Sequence, residues 1–400
     1  MQAVPVVLRP EWLIDGVAPD PVENHEVWTQ GRDIVYVGPV GRPAPSDASI
    51  STMPGMTLLP GLIDCHVHYL FDSEVERGNS VELAPSTPVG EAVLVGARNA
   101  RRALAAGITT ARSAGAPGDL DVVLSQAIDR GDIPGPRLLA SGRAITITGG
   151  HGTPFGITAD DPTESIRAVR TLVAAGARVI KAVASEAAML TSDRAGVPEL
   201  SAAQLTAIVA EAARLGISVM AHAQDSASVR AAAAAGVASV EHAFLADEAS
   251  LAAVAESGVT LTPTLVVTDV YRSLDNLSVE QRARQEAVAA AHRASCQKAI
   301  ELGIPIIAGT DCGLRGVHPD LLWREMVLLE DHGLPPMDAI RAATSLAARV
   351  LGLSGEIGSI QADKRADLVA VRGRPLEDIQ VLARPVFVMR HGDIVMDRRS

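Results

Sequence analysis

Four hundred residues exceed one small core and suffice for a large barrel, which commonly takes about 250 residues, plus an accessory layer. A formal charge of −12 repels phosphate backbones and no Lys/Arg cluster offsets it, so nucleic acid is excluded as a partner. No apolar run reaches the ~18 residues of a membrane span, and Arg9, Glu11 and Asp15 interrupt a start that a signal peptide keeps apolar, so the expectation is a cytoplasmic protein off the membrane.

Apolar residues make up 48% of the chain, but the aromatics are only three Trp, three Tyr and four Phe. The core is therefore expected to be Ala, Val, Leu and Ile, which suits barrel layers. Cys65, Cys296 and Cys312 show no CxxC spacing and fit a reducing compartment, with small buried packing as the role of Cys65 and Cys312.

In chain order, residues 1–59 hold short alternating stretches, such as 33–38, broken by Gly, Pro and Asp. They predict antiparallel strands. From residue 60, strand-like runs alternate with Ala-rich helical stretches: after 59–68 come 107–112, 137–142, 179–183, 217–222, 239–242, 260–264 and 305–308. The segments 160–175, 201–215 and 281–302 carry apolar residues at helical spacing and are long enough for crossovers. Eight such units predict a (β/α)8 barrel, a TIM barrel, over 60–354. Residues 355–400 return to alternating strands, as at 366–371, and are expected to join 1–59 in a small β-sandwich. The stretches 71–88 and 265–277 read as pocket-shaping loops.

The chemistry sits at strand ends. His66 and His68 stand two apart, and in a strand side chains i and i+2 share a face, so both imidazoles can reach one ion. Two solvated histidines in a turn give the same HxH pattern. Lys181 ends an apolar strand where an ammonium is costly without a partner; snorkelling to the barrel mouth or pairing with Glu186 is the bland account. An unprotonated lysine beside metals can instead take up carbon dioxide as a carbamate ligand. His222 and His242 end consecutive strands, and Asp311 closes the set with a carboxylate able to ligate and to move a proton. His25, His292, His332 and His391 lack that placement and are expected to be solvated.

The stretch from Pro60 to His68, the strand-end Lys181, Ala221-His222-Ala223, Val240-Glu241-His242 and Ala308-Gly309-Thr310-Asp311 resemble the amidohydrolase superfamily. So does the tail from Gly355 through Val369. Within it the chain most resembles the prolidase-like branch, with imidazolonepropionase-like proteins, Xaa-amino-acid dipeptidases and ochratoxin-type amidases, supported by Ile145 to Gly152.

That resemblance implies a binuclear site, with zinc the expected metal. His66, His68 and Asp311 would hold one ion, His222 and His242 the other, and an N6-carboxylated Lys181 would bridge them. A bridging hydroxide would attack the carbonyl of a dipeptide or N-acyl amino acid, Asp311 would pass its proton to the leaving amine, and His151 would stabilise the oxyanion. Tyr or His often stands two positions after the strand-five histidine in this branch; here it is Gln224, a departure that bears on recognition of a peptide carboxylate. Arg315, His318, Arg143 and Tyr271 are further candidates for substrate contact.

The alternatives are a mononuclear deaminase or cyclic amidase, a lactone, carbamate or organophosphate hydrolase on the same site, and a scaffold that has lost its ions. Deaminases of this superfamily tend to lack the lysine and to carry Glu three residues after the strand-five histidine; this chain has Lys181 and Asp225. Scaffolds usually miss ligands, and none is missing here. The partner expected is a small molecule, and a homo-oligomer is compatible with everything above.

Overall fold

A computed structural model describes residues 4–75, 80–187, 197–275 and 277–399. The two ends of the chain meet in one eight-stranded sheet. Its N-terminal strands are Val6–Leu13, Val22–Glu23, His25–Gln30, Asp33–Pro39 and Ser49–Pro60, and its C-terminal strands are Leu368–Arg372, Pro385–Arg390 and Asp393–Asp397. Leu368–Arg372 lies antiparallel against Ser49–Pro60, which stitches the termini together. One pair departs from the antiparallel expectation, because Ser49–Pro60 returns beside Val6–Leu13 in the same direction after the intervening hairpin. Leu8, Leu13, Val27, Met53, Leu58, Leu368 and Phe387 form this sheet's own core.

The central segment is a TIM-barrel-type α/β fold. Parallel ladders join Leu62–Val67 to Ile108–Ser113 to Arg137–Leu139, and Val179–Val183 to Ser218–Asp225 to Ser239–Leu245 to Thr260–Thr262. Backbone bonds bridge these arcs: Arg178 N donates to Ala140 O at 2.7 Å on one side. On the other, Leu261 N donates to Pro305 O, Ile307 N to Leu261 O and Cys65 N to Ala308 O, each at 2.9–3.0 Å. Residues 305–308 thus complete the ring through these bonds without a regular strand of their own.

Crossover helices are punctuated by their sequence. Asp161, Ser201, Asp225, Asp247 and Ser278 cap helix starts with side-chain oxygens, and Gly176, Gly236 and Gly258 end helices in the left-handed conformation that lacks a Cβ penalty. The expected loop at 265–277 instead begins with a helix, Leu265–Arg272. Leu265, Val266, Val267 and Tyr271 bury one side of it, and the Glu325 carboxylate accepts the first N–H groups, Leu265 at 3.0 Å and Val266 at 2.8 Å. In the other expected loop, Ser80–Leu83 is helical, and 76–79 lie outside the described residues. No helix among the described residues is long and apolar enough to cross a membrane.

Candidate active site at the strand ends

The six strand-end residues converge. His66 Nε2 and His68 Nε2 each lie 3.3 Å from Asp311 Oδ1, and the donor atoms of these three sit within 4.8 Å of one another. Lys181 Nζ is 3.3 Å from His66 Nε2. The rings of His66 and His242 have centroids 4.9 Å apart, those of His222 and His242 4.6 Å, and His242 Nδ1 is 4.0 Å from Asp311 Oδ2. All six are buried, and Lys181, at 2% exposure, neither snorkels nor meets Glu186, whose carboxylate lies 3.7 Å from His151 Nδ1.

The backbone is bent to achieve this. Successive side chains of a strand point to opposite faces, yet Glu241 and the adjacent His242 both serve the site. His242 and Ala243 take φ of 75° and 53°, and Asp311 and Thr264 both take 57°, conformations that cost about 1–3 kcal/mol each for non-glycine residues. Gly309 is needed for a different reason: a Cβ there would lie 2.8 Å from His66 Cβ and 2.6 Å from Thr262 Cγ2. Asp64 binds the first and last strand positions together, accepting from His66 N at 3.1 Å, Thr310 N at 3.0 Å and Thr310 Oγ1 at 2.7 Å. Burial pushes its carboxyl up to about 6.

The donor chemistry fits divalent cations. Burial holds His68, His222 and His242 below the ordinary histidine pKa, which leaves neutral imidazoles, the ligand form. His222 Nε2 is buried with no hydrogen-bond partner, an orphan that a cation would satisfy. Burial opposes ionisation of Asp311, but His66, His68 and His242 outweigh it and hold its carboxyl well below the usual range. Burial also pushes Lys181 down to about 8, against the pull of Glu241 and Asp311, so part of the amine is neutral near pH 7.

These groups face a cavity of about 680 Å³, open mouth included. Val81, Phe155, Val183, Phe244, Val267 and Leu314 line it, with His151, Gln224 and Tyr271 as polar contributors. Burial pushes His151 down to about 4. Arg143, Arg315 and His318 are not among the lining residues. Arg143 Nε donates to Asp119 Oδ1 at 3.1 Å, His318 Nδ1 is 2.9 Å from Ser73 Oγ, and Arg315 lies close enough to act electrostatically on Tyr271. Asp225, the deaminase-diagnostic position, accepts Ala227 N and Ser228 N as a helix cap.

Two of the four histidines expected to be solvated are buried. The His292 ring lies tilted against Phe244, centroids 4.2 Å apart, and meets Thr268 Oγ1 at 3.1 Å, and His332 Nδ1 bonds Leu328 O at 2.5 Å. His292 continues the stripe Val288, Cys296, Ala299 on helix Val279–Glu301, a helical spacing visible in the sequence. Sequence reasoning also gave no role to Arg112 and Glu241. Opposite charges inside two apolar strands were the available signal, since each needs a partner when buried.

The chain matches the amidohydrolase family over residues 57–395. It belongs to that family. Aspergillus niger ochratoxinase is 31% identical over an alignment covering 92% of this chain and 82% of that one. Among solved structures, a Xaa-Pro dipeptidase with methionine bound in its active site superposes with a TM-score of 0.89 at 27% identity, covering 98% of this chain and 100% of that one. A prolidase complexed with N-methylphosphonate-L-proline gives 0.88 at 28%, with the same coverages. The A. niger ochratoxinase structure gives 0.87 at 27%, covering 99% and 96%. This amidohydrolase is a hydrolytic enzyme of the prolidase- and ochratoxinase-like branch.

Proposed function

We propose that this amidohydrolase cleaves the amide bond of a dipeptide or N-acyl amino acid with two divalent ions, zinc being the expected metal. His66, His68 and Asp311 would hold one, His222 and His242 the other, and carboxylated Lys181 would lie between them. The observation that carries the reading is the convergence of these six buried groups on one cavity, where burial favours the neutral form of His68, His222 and His242. When bound, the ions supply carbonyl polarisation and a water acidic enough to attack near pH 7.

The chain's own groups do the rest. Asp311, held ionised, accepts the proton and returns it to the leaving amine. His151, neutral at pH 7, donates an N–H to the oxyanion. Phe155, Phe244 and Val267 keep water from the acyl group while Gln224 and Tyr271 offer polar contacts to the amide. The barrel domain runs over 60–354, and the terminal sheet over 1–59 and 355–400 folds on its own core as a β-sandwich. Three free, buried cysteines suit a reducing cytoplasm.

Elemental analysis together with a screen of dipeptides, N-acyl amino acids and lactones tests the proposal. About two ions per chain and turnover of amides are expected; full activity with one ion, or turnover confined to lactones, overturns it.

A further inference from the structure

The two halves of the donor set are held from behind by different chemistry. His66 Nδ1 lies 2.7 Å from Glu241 Oε2. The other oxygen of that carboxylate, Oε1, accepts from Arg112 Nη2 at 3.0 Å and from Ser239 Oγ. Arg112 is itself fully committed: Nη1 donates to Ser239 Oγ at 2.9 Å and Nε to Cys65 O at 2.6 Å. Arg112, Glu241 and Ser239 have no exposed surface, so the ion pair cannot rearrange into water. A carboxylate can only accept, so His66 carries a proton on Nδ1, and Nε2, 3.3 Å from Asp311 Oδ1, is the nitrogen left for a cation to take.

His242 has a neutral backing. Its Nδ1 meets Thr264 Oγ1 at 2.8 Å, and that hydroxyl donates onward to Pro263 O at 2.6 Å, which leaves an oxygen lone pair for the histidine. This orients the ring without the electron density that an anion pushes into an imidazole. By contrast, His66, His68 and Asp311 are gathered within 4.8 Å.

We infer that Glu241, fixed by Arg112, is a positioning residue that makes the His66, His68 and Asp311 half bind its divalent ion first and more tightly, leaving the His222 and His242 half exchangeable. The inference rests on the two-ion reading of the site. Loading is therefore ordered, and the second ion is the one lost when metal is scarce.

The test is a Zn2+ titration of the chelator-stripped full-length protein against a chromophoric competitor, in bicarbonate-containing buffer. Two separate steps are expected. Glu241→Gln weakens the tighter step by about 10–100-fold, the usual cost of losing such a partner, and leaves the weaker step nearly in place; Thr264→Val weakens only the weaker step. Equal affinities in the native protein, or both steps moving together in Glu241→Gln, overturn the inference. If Glu241→Gln fails to fold because Arg112 is left unpaired, Arg112→Met/Glu241→Gln removes both charges and gives the same readout. Saturation at one ion, with that step still weakened by Glu241→Gln, overturns the two-ion reading while upholding the role of Glu241.

Discussion

Glu325→Gln probes a carboxylate that lies off the catalytic cavity yet sets one of its walls. Glu325 is fully buried, and its two oxygens accept Leu265 N and Val266 N, anchoring the helix that follows Thr264. Burial raises its pKa from 4.5 to about 8 despite those hydrogen bonds. The folded protein therefore keeps this proton to higher pH than the unfolded chain does. Stability from the group is complete below about 4.5 and is lost as pH rises through 8. At about 1.4 kcal/mol per pH unit between those limits, the full loss is about 5 kcal/mol, of which about 4 falls between pH 5 and 9.

An unfolding entropy of about 2.1 cal/mol/K per residue turns about 4 kcal/mol into a Tm change of about 5 °C for a chain this long. The glutamine cannot ionise, and it leaves one N–H poorly matched at a cost of about 1–3 kcal/mol. Wild type is thus expected to melt higher at pH 5, with the advantage shrinking by about 5 °C by pH 9. Thermal unfolding of both proteins across that range measures it. Parallel Tm curves would show that Glu325 titrates normally and that its burial has been misread.

Lys181→Ala should lose metal and turnover together and recover part of both with added short carboxylates; undiminished activity excludes a carbamate at this position. Asp311→Asn is expected to keep the fold, judged by circular dichroism, and to drop kcat by about 10²–10⁴ as a lost proton carrier; wild-type turnover would remove it from that role. His151→Ala should reduce kcat by about 10²–10³ with little change in KM, as for a lost oxyanion donor, and a change confined to KM would make it a binding residue instead.

Alternation and motif made much of this legible. Apolar runs ending on His, Lys or Asp marked the strands and their functional ends, because a polar group that closes a buried strand must have a partner. Apolar residues at helical spacing did the same for the crossovers at 160–175, 201–215 and 281–302. The helical stripe through Val288, His292 and Cys296 was equally visible, so the burial of His292 was within reach of periodicity.

The sequence by itself determined the alternation of strands and helices beyond residue 60 and the identities of the six converging side chains, since both follow from local pattern and residue type. Tertiary structure alone decided how they converge. The left-handed turns at His242 and Asp311 re-aim side chains that simple alternation would send elsewhere. Charges 129 residues apart, on Arg112 and Glu241, become partners only when the ring closes. Which residues line the cavity, Phe155 and Val267 among them and Arg143 and His318 not, depends on how loops pack over the strand ends, and packing is a property of the assembled surfaces rather than of any one segment.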